Sequence, residues 1–140
     1  MSDNSEVGSI SIITPRVRPA VTFGFTERVR TGCGNLYVTV NEDEKGLCEV
    51  FVQLGKSGGC GFAQCQTIGM LLSASLRAGI DPSSLVRKLR GVRCHQPGFM
   101  DGEEISSCAD GIGRVIERYL SEHKKGESCD GISEDQAASS

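Results

Sequence analysis

The order in which two hydrophobic periodicities occur along the chain constrains its fold most. Three segments alternate apolar and polar residues and are rich in β-branched and aromatic side chains, which is typical of strands: 20-AVTFGFTERVR-30, 35-NLYVTVN-41 and 47-LCEVFVQL-54. The turn 41-NEDEKG-46 joins the last two, and its glycine suits a hairpin loop. The first half of the chain is therefore predicted to form a three-stranded antiparallel meander.

After Gly59 the apolar residues recur at helical spacing instead. A long helix is predicted to end at 78-AG-79, a common C-cap signal, and a short helix to begin at 81-DP-82, which supplies an N-cap and a proline at the first helical position. A last helix is predicted from about Ser107 to Leu120. Strands followed by helices indicate the α+β class, with a three-stranded antiparallel sheet followed by helices packed on one face.

Length and composition indicate one folded domain with polar ends. The chain has 140 residues, of which 38% are hydrophobic and 24% charged, enough for a single core. We expect a flexible N-terminus over residues 1–15, a domain over 16–122, and a disordered acidic tail over 123–140, which is polar and contains several Gly and Ser residues. The sequence has no 18-residue apolar run and no signal peptide, so we expect a cytoplasmic protein that does not enter a membrane.

The overall charge argues against a nucleic-acid partner. A net charge of −3 and a pI near 5.4 do not suit a protein that neutralises phosphates, and five Phe, two Tyr and no Trp supply few surfaces for base stacking. One local exception is a basic series: Arg16, Arg18, Arg28 and Arg30. This series is interpreted either as a solvated basic edge or as a site for an acidic partner or a nucleotide.

Seven cysteines are a surplus for an intracellular chain, because thiols in that compartment are kept reduced. Four lie at the ends of predicted elements, where metal-ligating loops usually are: Cys33, Cys60, Cys94 and Cys108. Cys48 and Cys65 fall within a predicted strand and helix, at positions that suit a small buried hydrophobe, and Cys129 lies in the tail. The four junction cysteines are either tolerated beside glycines or share a metal or thiol site.

A shared site would have unusual ligand spacing. No CxxC pair occurs, so the four thiolates would have to converge from distant segments. Zinc is the first expectation for a closed set of thiolates, and iron or an iron–sulfur cluster is the redox alternative. His95 is either a substitute ligand or a surface loop residue, and Asp110 is either an oxygen ligand or a cap of the last helix.

The glycine-rich stretch 55-GKSGGCG-61 also allows an anion site at a helix N-terminus. Its lysine precedes the glycines, so the GxxxxGK[ST] order of a phosphate-binding loop is absent, although Lys56 and the backbone amides can still bind an anion. We favour the interpretation that the glycines let the backbone turn tightly while Cys60 points into the shared site.

Four separated motifs follow one another over about Arg16–Leu120: TGCGNLYVTVN, CEVFVQLGKSGGC, IGMLLSASLRAGIDPSSLVRKLRGVRCHQP and SSCADGIGRVIE. Together and in this order they resemble the motifs of the TSCPD domain. That domain is found at the C-terminal end of adenosylcobalamin-dependent (class II) ribonucleotide reductases and also as stand-alone proteins. This chain has SSCAD where the family name spells TSCPD, so its last helix lacks a proline in the first turn. The chain also resembles iron–sulfur cluster assembly scaffold proteins in one arrangement: a CG before a strand, a GCG before a long helix and a late Cys-His.

The resemblance implies a metal-binding accessory or regulatory domain, with Cys33, Cys60, Cys94 and Cys108 on the family's cysteine positions. Such a domain would serve deoxyribonucleotide synthesis and DNA replication through a larger polypeptide, because 140 residues cannot contain the reductase barrel, its radical cysteine and its nucleotide pocket. We expect no catalysis by this chain alone, and a ribonucleotide reductase polypeptide or another protein as partner. The oligomeric state stays open, a homo-oligomer included. The alternative is a stand-alone carrier or scaffold for thiols, metal or iron–sulfur clusters.

Overall fold

A three-stranded sheet, a small hairpin and three helices make up the part of the chain that the structure describes. The structure, a computed structural model, describes residues 10–55 and 59–139, with the side chains of the last helix described through His123. The elements are β1 (Phe23–Thr31), β2 (Gly34–Asp43), β3 (Gly46–Leu54), α1 (Gly59–Arg77), α2 (Pro82–Leu89), β4 (Gly98–Met100), β5 (Glu103–Ile105) and α3 (Cys108–Ser139).

The main sheet is the meander that the alternating segments predict. Its strands lie in the order β1-β2-β3, and both pairs are antiparallel. Glu44 and Lys45 form the β2–β3 turn, and Gly46 closes it with a φ of 118°, which a residue with a side chain rarely adopts. The predicted α+β class, with a three-stranded antiparallel sheet followed by helices, is confirmed.

The core lies between one face of this sheet and the helices. Alternate strand residues and apolar residues of the helices are buried there: Val29, Leu36, Val38, Val40, Val50, Leu72, Leu76, Val86, Ile112, Val115 and Ile116. Helix α1 also lies against the edge strand β3, where Ser73 Oγ accepts a hydrogen bond from Val50 N at 2.9 Å and donates one to Val50 O at 3.1 Å. These bonds satisfy edge backbone groups that would otherwise need water.

The helix ends follow the predicted signals, with one extension. Asp81 Oδ1 accepts a hydrogen bond from Ser83 N at 3.0 Å and caps α2, and Gly79 adopts a φ of 95° after α1. Helix α3 continues to Ser139, beyond the predicted end near Leu120. The proposed domain boundaries at residues 16 and 122 stay predictions, and residues 1–9 of the predicted N-terminal segment lie outside the described residues.

The hairpin formed by β4 and β5 was not predicted. Its turn is Asp101-Gly102, in which both residues have positive φ, 54° and 80°. It packs beside β1, so that Arg30 N donates a hydrogen bond to Met100 Sδ at 3.5 Å. No helix in the described part of the chain is long and apolar enough to cross a membrane.

Candidate metal centre

Three segments that carry predicted ligands lie side by side at one corner of the fold. Cys94 N donates a hydrogen bond to Ser106 O at 3.0 Å, which ties the loop before β4 to the residues just before α3. A Cβ on Gly98 would lie 2.6 Å from the backbone carbon of Thr31, and one on Gly32 would clash with Gln96 O. The β1–β2 turn with Cys33, the loop with Cys94 and the start of α3 with Cys108 are therefore in contact through their backbones.

Three thiols interact within this corner. Cys33 and Cys108 are half-buried and Cys65 is 2% exposed, and Cys108 Sγ contacts Thr31 Oγ1 at 3.7 Å. The hydrogen bond between Cys65 and the Cys108 sulfur has the largest effect on the pKa of Cys108, and hydrogen bonds with Thr31 and Cys33 have smaller effects in the same direction. Together they outweigh burial and lower the pKa of Cys108 to about 6. The same bond to Cys108, together with burial, raises the pKa of Cys65. Of Cys65 and Cys108, it is therefore Cys108 that ionises, while Cys65 keeps its proton.

Asp110 holds this corner together from the first turn of α3. Its Oδ1 accepts hydrogen bonds from Gly91 N at 2.9 Å and Arg90 Nε at 3.0 Å, and its Oδ2 accepts one from Ser106 N at 3.0 Å. Burial raises the pKa of Asp110, but these donors outweigh burial and hold it below its ordinary value. Ser107 Oγ accepts from Asp110 N at 3.0 Å and caps α3 itself. Because both of its oxygens already have protein donors, the carboxylate is better explained as a structural cap than as an oxygen ligand.

The other residues that the sequence predicts for the site lie at the surface or outside the described residues. Cys60 is exposed in the first turn of α1, and its Cα precedes that of Cys65 by about 7.5 Å along the helix axis. Cys94 and His95 are exposed in their loop, and Lys56 lies outside the described residues. Within residues 10–55 and 59–123, no group of three or more His, Cys, Asp or Glu side chains is arranged to hold a metal ion. The assignment of Cys33, Cys60, Cys94 and Cys108 as ligands stays a prediction.

Two contributors to this corner were not predicted as such. Cys65 is buried, as expected for a small hydrophobe, but its thiol also contacts Cys108. Cys65 recurs at helical spacing with Gly69, Leu72 and Leu76, and together these residues form the buried face of α1. This periodicity is the sequence signal that could have placed Cys65 against another element of the core. Arg90 joins α2 to Asp110, a pairing across 20 residues that no local pattern indicates.

The fold and this corner define a class: a small α+β domain in which turns bearing cysteines meet at one end of an antiparallel sheet. A family model described as the TSCPD domain matches residues 12–120, well over half of the chain. The chain belongs to the TSCPD domain family, which is associated with ribonucleotide reductases. Neither the curated proteins nor the solved structures gave a match.

Proposed function

We propose that this chain is a zinc-binding accessory or regulatory domain for adenosylcobalamin-dependent ribonucleotide reductase, with Cys33, Cys60, Cys94 and Cys108 as the metal ligands. The observation that carries the proposal is the contact between the β1–β2 turn, the loop before β4 and the start of α3, because each of these segments bears one of the predicted ligands. Thiolates from such junctions are the ligand type that structural zinc sites use.

The chemistry of the thiols fits a metal. Metal binding requires a deprotonated sulfur, and Cys108, with a pKa lowered to about 6, supplies one at neutral pH. Cys33 lies beside it, the loop with Cys94 adjoins both, and Cys60 precedes Cys65 on the helix that reaches this corner. Bound zinc would supply a cross-link between distant segments of the chain.

This composition of the site favours a supporting role over catalysis. Four thiolates close the coordination shell of zinc and leave no position for water or substrate. Reduction of ribonucleotides would then occur in a larger partner polypeptide in the cytoplasm, and this domain would dock on it.

The second candidate function is a carrier or scaffold for metal or iron–sulfur clusters. It is favoured by the exposure of Cys60 and Cys94, which a partner or an incoming metal can reach, and by the lowered pKa of the Cys108 thiol. An exchangeable metal distinguishes this function from the first one, because a structural zinc site releases its ion slowly.

The test combines metal exchange with partner binding. Protein purified without added metal is challenged with a chelator while its absorbance and zinc release are followed, and it is then mixed with a class II reductase polypeptide. We expect a colourless protein whose zinc is released only slowly, which binds the reductase and does not reduce ribonucleoside diphosphates alone. A rapidly exchanging metal or a coloured cluster would favour the carrier, and reduction by the isolated chain would contradict both candidates.

A further inference from the structure

Two arginines on the outer face of β1 lack an acidic partner within the described part of the chain. Arg28 and Arg30 are both exposed, and they point to the same side of the sheet because they are two residues apart in a strand. No ion pair or hydrogen bond of either guanidinium group to a described residue is present. Arg16 and Arg18, from the same basic series, each form an ion pair with a carboxylate of the protein.

These two arginines line a cavity of about 380 Å³ together with Phe99, Met100 and Asp101. The β4–β5 hairpin forms the opposite wall, and the bond from Arg30 N to Met100 Sδ holds that wall against β1. The volume lies at the lower end of the range of about 300–1,000 Å³ found for small-molecule sites. The cavity contains none of the predicted metal ligands.

The lining residues favour an anion that also carries a flat ring. A guanidinium group presents a planar fork of donors that matches phosphate oxygens. The cavity is lined by two such groups and by one carboxylate, that of Asp101, which leaves an excess of positive charge. Phe99 is 61% exposed, so its ring is available for a base to stack on. Tyr37, the cross-strand partner of Arg28, adds a second exposed ring on the same face.

We propose that this cavity binds a nucleotide, with its phosphates on Arg28 and Arg30 and its base on Phe99. A single nucleotide is favoured over a nucleic-acid chain, because the protein carries a net charge of −3 and a polynucleotide binds through many phosphate contacts. This site is separate from the proposed metal centre, and its failure would leave that proposal unaffected.

Calorimetric titration with ADP, pyrophosphate and adenosine tests the assignment on the full chain. We expect ADP to bind more tightly than either of its parts, and Arg28→Ala with Arg30→Ala to weaken ADP binding at least about tenfold, as expected for the loss of two charge-assisted contacts. Phe99→Ala should weaken ADP binding and leave pyrophosphate binding unchanged. The matched control is Arg87→Ala, which removes an exposed arginine of α2 outside this cavity and should leave ADP binding unchanged.

Asp101→Asn gives a test in the opposite direction. Asparagine tolerates the positive φ of 54° at this turn, so the hairpin should persist while the one acidic group of the cavity is lost. We expect ADP to bind severalfold more tightly to this variant. The proposal is overturned if ADP does not bind the folded protein, if the arginine pair and Arg87→Ala behave alike, if Asp101→Asn does not tighten binding, or if pyrophosphate binds as well as ADP.

Discussion

Replacing Asp110 with asparagine tests whether one carboxylate holds the cysteine-bearing corner together. The side chain is 5% exposed and accepts three hydrogen bonds, from Gly91 N, Ser106 N and Arg90 Nε. Asparagine has nearly the same size, but one of its terminal atoms is an NH₂ group that cannot accept. The variant therefore leaves at least one of these donors without its acceptor and removes the charge from the other bonds.

The cost follows from these contacts. A buried donor that loses its acceptor costs about 1–3 kcal/mol, and the loss of charge weakens the remaining bonds by about 1 kcal/mol more. Arg90 is 37% exposed, so solvent screens its share of the charge effect. We expect Asp110→Asn to lower the free energy of unfolding by about 2–4 kcal/mol, measured by urea denaturation at pH 7.

Glu117→Gln is the matched control, because Glu117 also contacts Arg90 but is 56% exposed. Its expected cost is about 0–1 kcal/mol. The effect of Asp110→Asn should also depend on pH. The folded state holds the pKa of Asp110 below its ordinary value, so the stability that its charge contributes is complete above about pH 4 and is lost as the pH falls through the folded pKa. Equal costs for the two variants, or a difference that does not shrink in acid, would refute the reasoning.

Two further predictions concern the edge strand β3. Gly69→Ala should lower the free energy of unfolding by about 1–3 kcal/mol, because the added Cβ would lie 3.0 Å from Val50 O. Gly61→Ala is the control: its Cβ would make only an ordinary contact, so this variant should raise the free energy of unfolding by up to about 1 kcal/mol. Thermal melts of both variants check these expectations. Burial raises the pKa of Glu49, but hydrogen bonds led by Arg18 hold it below its ordinary value, so the stability it contributes falls as the pH drops through its folded pKa. Acid denaturation should therefore be shallower in Glu49→Gln, and an unchanged slope would count against this role.

The elements with a long periodic pattern could be predicted from the sequence, whereas the short ones could not. The strands and α1 each carry enough alternating or helically spaced apolar residues to identify their type. Strands β4 and β5 have three residues each, too few for a period, and only the Asp101-Gly102 dipeptide marked their turn.

The candidate site was predictable only in its residue types. The junction positions of Cys33 and Cys108 follow from local sequence, but the contact between Cys65 and Cys108 joins residues of two helices and depends on how those helices pack. The four arginines of the basic series differ for the same reason: Arg18, which precedes β1, forms an ion pair with Glu49 on β3, while Arg28 faces outward. Such pairings require the tertiary structure.

The metal content of the chain tests the central claim most directly. Elemental analysis of protein purified without added metal would compare the natural sequence with Cys108→Ser and with Cys48→Ala, a buried cysteine outside the proposed ligand set. The account predicts one zinc ion per chain in the natural protein and in Cys48→Ala, and loss of zinc in Cys108→Ser, because a ligand whose thiol has a lowered pKa is gone. A folded natural protein without metal, or equal zinc in the natural protein and Cys108→Ser, would contradict it.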